Sequence, residues 1–176
     1  MMRRVLAAAA FAAAPLAAAA ATPAQLDSWL ASSPAIVKEK PPYATSAYGT
    51  AARYINVKGA NATGWVVPAE ATEGFLADGR RVMVAPINSG GSGGVFSALL
   101  FTQTGTTPHF VGTIPSGGGH LLVSVNAGRL LIEWPIYVGD DPNCCPSALH
   151  FEHASVRGNR LVTDDHWDVK LAKSPH

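Results

Sequence analysis

The sequence predicts a mainly β fold, α+β only in minor part: a single-domain antiparallel β-meander with a short N-terminal helix. Three observations lead there. From residue 81 onward, runs rich in Val, Ile, Leu and aromatic residues are separated by short turns of Gly, Asn and Ser. No connection between those runs is long enough for a crossover helix, so neighbouring strands pair antiparallel. The chain holds 17 Gly and 13 Pro but stays 48% hydrophobic and only 14% charged, which describes a turn-rich packed domain and not a disordered one.

The first element is a leader. Met1-Met2-Arg3-Arg4 is a short basic start, and residues 5–21 are an almost unbroken apolar run, mostly alanine. The run ends in Ala18-Ala19-Ala20 or Ala19-Ala20-Ala21, small-residue sites just before Thr22-Pro23. These parts predict a secretory signal peptide over 1–21, cleaved near Ala20 or Ala21. Its 17 residues sit at the short limit for a membrane span. No cysteine lies at the cleavage site, so no lipid anchor is expected. Arg3-Arg4 lacks the flanks of a twin-arginine signal, and the general export route is preferred. The expected destination is a bacterial periplasm or the medium.

The remaining stretch of about 155 residues is one domain by length. Loss of Arg3 and Arg4 turns 13 Lys+Arg against 12 Asp+Glu into 11 against 12, a net charge of −1. Without a basic patch, nucleic acid is not an expected partner, and neither is stable membrane insertion after cleavage.

Residues 22–80 read as a helix followed by irregular chain. Thr22 is the N-cap, Pro23 the first helical residue, and Leu26, Trp29 and Leu30 form one apolar stripe, so the helix is expected over about 23–33, ended by Pro34. Pro41-Pro42 marks a loop. Residues 51–57 read as a first strand or irregular chain, and Trp65-Val66-Val67 as a short apolar run stopped by Pro68.

Residues 81–163 carry the β core. Strands are expected over 81–88, 95–103, 109–114, 120–125 and 129–137. In the last of these Leu131, Glu133, Pro135 and Tyr137 alternate with Leu130, Ile132, Trp134 and Ile136. A cysteine turn follows. A final hairpin joins 148–156 to 160–162 across Gly158-Asn159. Residues 164–176 read as a C-terminal tail.

The order of a Gly-Ser-Gly loop, an aromatic strand, Asn126-Ala127-Gly128-Arg129-Leu130, then Asp140-Asp141-Pro142-Asn143-Cys144-Cys145-Pro146-Ser147 and Gly158-Asn159-Arg160-Leu161-Val162 resembles a loosely defined set of secreted bacterial proteins. That set includes the LppP/LprE-type mycobacterial envelope lipoproteins. The likeness spans about residues 81–162, and its specific part is Asp-Pro-x-Cys-Cys-Pro-Ser. The lipid-anchoring cysteine is missing here. The resemblance implies export and a small β-rich envelope protein, and it implies no reaction.

Cys144 and Cys145 are the only cysteines. Neighbouring Cα atoms lie about 3.8 Å apart, closer than the roughly 4.4–6.8 Å of ordinary disulfides. A bond between them closes a small strained ring, stiffened here by Pro142 and Pro146. A vicinal disulfide is the expectation, with a lock on the turn as its first role and a ligand platform or redox switch as its second. Reduced thiols and intermolecular pairing are the alternatives. Asp140, Asp141 and Asn143 read as turn residues that bond their own backbone. They also have the oxygens to touch a ligand, but not the spacing of a calcium loop.

The Ser92 loop, Gly90-Gly91-Ser92-Gly93-Gly94, lacks the order and partners of a catalytic triad, because every histidine lies downstream of it. It reads as a connection between strands. His150-Phe151-Glu152-His153 gives weak metal candidates in His150 and His153. On a strand His150 and Glu152 face one way and His153 the other, so the histidines read first as solvated surface residues. His120 and His166 can complete a site only if the fold brings them close. Trp134 reads as core.

The function expected from the sequence is a non-catalytic binding or structural module of the cell envelope or periplasm, without a cofactor, whose partner is an envelope protein or a small-molecule ligand. A redox or metal-binding protein built on Cys144, Cys145 and the histidines is the alternative. A hydrolase using Ser92 comes last.

Overall fold

Thr22 caps the first element, α1 (Pro23–Leu30). Its hydroxyl accepts the Gln25 N–H at 3.2 Å, and the Gln25 side chain accepts the Thr22 N–H at 2.8 Å. This reciprocal box fixes where the helix starts. Leu26, Trp29 and Leu30 are buried, as the stripe predicts. The helix stops three residues short of the expected end. Ser32 donates both its hydroxyl and its N–H to the Trp29 carbonyl, at 2.7 and 3.1 Å, which ties off the last turn. The computed structural model describes residues 20–42, 48–90, 94–139, 141 and 145–172.

Eleven strands follow among these residues. β1 (Ile36–Lys38), β2 (Arg53–Val57), β3 (Ala62–Val66), β4 (Thr72–Phe75), β5 (Arg81–Asn88), β6 (Val95–Thr104) and β7 (Thr107–Pro115) form a seven-stranded sheet in the order β1-β2-β3-β5-β6-β7, with β4 paired to β5 beside that path. β8 (Leu122–Asn126), β9 (Arg129–Ile136), β10 (Ala148–Arg157) and β11 (Arg160–Lys170) form a four-stranded meander in the order β11-β10-β9-β8. All pairings are antiparallel. The mainly β, antiparallel fold with one short α-helix is as the sequence predicts.

Two boundaries are corrected. Residues 22–80, read as helix plus irregular chain, supply four strands to the larger sheet. β2 lies in residues 51–57, read as a first strand or irregular chain, whereas β1 and β4 span three and four residues, too short for alternation to register. Residues 164–176, read as a tail, continue β11 to Lys170. This part of β11 is exposed, and its alternation of Trp167 and Val169 with charged residues is short and surrounded by acidic side chains. Cross-strand partners on β10 hold it in place.

β5 and β6 lie in the middle of the molecule. Their runs Val82-Met83-Val84-Ala85 and Ala98-Leu99-Leu100-Phe101 are apolar at every position because both faces are covered. Met83, Ala85, Ile87, Leu99 and Phe101 pack toward α1 and β2, where Trp29 meets Phe101 edge to face at 5.7 Å. Val82, Val84, Ala98 and Leu100 pack against Leu130, Ile132, Ala154 and Val156 of the four-stranded sheet. Arg80 pins the two sheets together by donating to the carbonyls of Val156 and Gly158 at 2.7 and 2.9 Å.

Candidate functional site

The cysteine turn joins β9 to β10, and Asp141 organises it. One carboxylate oxygen accepts the backbone N–H groups of Val138 and Ser147, at 2.8 and 3.0 Å. Asp141 thus bonds backbone on both sides of the turn. Cys145 is exposed and Pro146 half-buried. Asp140, Asn143 and Cys144 lie outside the described residues, as does Ser92, so the vicinal disulfide stays an expectation.

The four-stranded sheet has two unlike faces, set by strand alternation. Leu130, Ile132, Ala154 and Val156 point into the core. Residues of the opposite parity form the outer face. Across it run Leu122, Glu133, Phe151 and Trp167, each paired with the next, then Pro135, Leu149 and Val169 in the neighbouring row. Phe151 and Trp167 stack at 5.4 Å, 8° from parallel. Leu122, Trp167 and Val169 are 62%, 39% and 43% exposed, a large apolar display for one face.

An open groove of about 390 Å³ lies on this face, lined by His120, Leu122, Glu133, Pro135, Tyr137, Pro146 and Leu149. A second open hollow shares Leu122 and Glu133 with it and is lined also by Val123, Ser124 and Leu131. Pro146 makes the cysteine turn one wall. On the rim, His120 is held at φ 49°, in the left-handed region that side chains other than glycine rarely adopt. Glu133 is half-buried and has no hydrogen-bond or ion-pair partner among the described residues. The sequence did not single out Glu133 or Leu122, and it offered His120 only as a completing metal ligand, not as part of a groove. The available signal was a lone carboxylate in the alternation Leu131, Glu133, Pro135, Tyr137.

The inner face continues beyond the apolar core with polar groups. Trp134, His150 and Asp168 form one cross-strand row, and Ile132, Glu152 and His166 the next. His150 Nδ1 lies 2.6 Å from Asp168, and His150 Nε2 lies 3.4 Å from Glu152 Oε1. The Thr163 hydroxyl donates to the other oxygen of Glu152 at 3.1 Å. The His150 ring stacks on Trp134 at 4.3 Å, with His166 following at 5.7 Å. Trp134 extends the core, as expected, but its ring also seats a histidine. The reading of His150 as a solvated surface residue is corrected: its side chain is only 15% exposed, because Trp134 and the two carboxylates enclose it.

His153 stands on the outer face, bonded to Asp165 at 2.8 Å and tilted against Trp167, so His150 and His153 do not share a site. Nor does His120 join them. His166 does, because a bulge between His153 and Ala154 sets it opposite Glu152. At that bulge the Ser155 hydroxyl, with Arg157 beside it, holds the Asp164 carboxyl below its ordinary range. In the observed rotamers no group of three or more His, Cys, Asp or Glu among the described residues is arranged to hold a metal ion. No helix among those residues is long and apolar enough to cross a membrane. Compared with protein-family models, curated proteins and solved structures, the chain matches none.

Proposed function

We propose that this is an exported envelope or periplasmic binding module, without catalysis, whose outer-face groove takes an amphiphile bearing a cationic group. Glu133 carries the reading. A carboxylate drawn partly out of water beside apolar walls is costly when unpaired. A cationic head next to Glu133 removes that cost, and an apolar body covers Leu122 and Leu149. The left-handed His120 on the rim supports a functional surface, because backbone strain is kept where the fold gains something from it. The leader and the envelope-type resemblance around Asp-Pro-x-Cys-Cys-Pro-Ser support export. In this reading the vicinal disulfide is structural: it sets the position of Pro146 and so the shape of one groove wall.

The test is calorimetric titration with dodecyltrimethylammonium and dodecyl sulfate, each below its micelle concentration. The cationic ligand should saturate and the anionic one should not. Glu133→Gln should remove the discrimination, and Leu122→Asp should weaken binding of the apolar body. Equal binding of both ligands, or none, contradicts the proposal.

A further inference from the structure

On the inner face, the contact between His150 and Glu152 is chemically incomplete. An ionised carboxylate only accepts hydrogen bonds. Asp168, 2.6 Å from His150 Nδ1, therefore fixes the proton on that nitrogen. In the neutral ring Nε2 then presents a lone pair to Glu152 Oε1, 3.4 Å away. Two acceptors face each other, and a positive charge belongs between them. The spacing matches a metal. Two ligands at about 2.0–2.1 Å in a tetrahedral site lie about 3.3–3.4 Å apart. The outer partners are in place as well. Asp168 orients His150 as carboxylates orient zinc-bound histidines, and Thr163 holds the second oxygen of Glu152.

We propose that His150, Glu152 and His166 form a site for a divalent transition metal of the zinc class, completed when the exposed His166 side chain turns. His166 sits opposite Glu152 on β11, with its ring 5.7 Å from that of His150. It does not converge with the other two in the observed rotamer. Rotation of an exposed ring between staggered wells is a small barrier to closing the site. Two imidazoles and one carboxylate suit zinc, and a water takes the fourth position. The site lies on the face opposite the outer groove and is independent of the function proposed for that groove.

The experiment is calorimetric titration of the chelator-treated full chain with zinc sulfate, alongside tryptophan emission of the chain and of Trp134→Phe, whose difference isolates Trp134 from the other three tryptophans. One zinc per chain is expected, with a change in Trp134 emission through its stack on His150. His150→Ala, His166→Ala and Glu152→Gln should each weaken binding at least about tenfold, and Asp168→Asn by a similar factor. Glu152→Gln preserves shape, so its loss is not a folding defect, and far-ultraviolet circular dichroism checks the others. His153→Ala, and Cys144→Ser with Cys145→Ser, should leave affinity unchanged. No saturable binding below about 1 mM zinc overturns the proposal and leaves a proton as the charge between His150 and Glu152. Binding that survives loss of His166 or needs the cysteines overturns it equally.

Discussion

Asp141 and Ser147 close the cysteine turn on itself: one Asp141 oxygen accepts both the backbone N–H and the hydroxyl of Ser147. The same oxygen takes the Val138 N–H, so chain entering and leaving the turn meets at one carboxylate. Asp141→Ala should cost about 0.5–1.5 kcal/mol, the net worth of such hydrogen bonds when water can reach the freed donors. Amide exchange at Val138 and Ser147 should quicken, while the β5 and β6 amides keep their protection relative to global unfolding. Unchanged exchange at Val138 and Ser147 would show that the turn holds without Asp141.

The cysteine pair is expected to be oxidised in protein recovered from an oxidising compartment. Intact mass should be two hydrogens below that of the dithiol. The closed loop is minimal, so its effect on unfolded-chain entropy is small. Cys144→Ser with Cys145→Ser should cost only about 1–2 kcal/mol and should alter the groove at Pro146 more than global stability. Two free thiols in such protein would sink the vicinal bond.

Asp27 ties α1 to the sheet. It receives Lys38 Nζ at 2.6 Å, Arg53 Nε at 2.9 Å and a second Arg53 nitrogen at 2.7 Å. The Arg53 hydrogen bonds, helped by Lys38, lower its pKa from 3.8 to about 2. A carboxyl depressed in the folded state stabilises above its unfolded pKa, and that stability is lost as pH falls through its folded pKa. The Asp27 contribution should therefore be complete at neutral pH and fade between about pH 4 and pH 2. Asp27→Asn should destabilise at pH 7, and its deficit relative to the native chain should shrink on acidification. A deficit independent of pH in urea melts would contradict this.

The β8–β9 hairpin carries a strained alanine. Ala127 sits at φ 47°, followed by Gly128 at φ 79°, in a two-residue loop between Asn126 and Arg129. Ala127→Gly should stabilise by a few tenths to about 1 kcal/mol, since glycine adopts that backbone without a Cβ clash. Gly128→Ala should do the reverse, and more strongly. Its Cβ would fall 2.6 Å from the Ala77 backbone nitrogen, at the point where Ala77 donates to the Gly128 carbonyl. Thermal melts of the two variants should move in opposite directions.

Much of this was legible in the chain. Thr22, Pro23 and the Leu26, Trp29, Leu30 stripe write α1 locally, and the all-apolar runs at 82–85 and 98–101 mark strands covered on both sides. The rest depends on distant pairing. β1 and β4 become strands only because β2 and β5 lie beside them. The row of Trp134, His150 and Asp168 exists only because three strands share one register, and a bulge, which residue spacing does not announce, brings His166 opposite Glu152. Glu133 stands in the sequence as an ordinary strand residue, and only the fold shows that none of the described residues pairs with it.

Binding at the outer groove is what the unpaired Glu133 and the exposed Leu122 together require. Its most direct test is amide chemical-shift mapping during titration with dodecyltrimethylammonium. The largest saturable shifts should fall on Leu122, Glu133, Tyr137 and Leu149, and they should vanish in Glu133→Gln. Shifts confined to the inner face around His150 and His166, or shifts that never saturate, would contradict it.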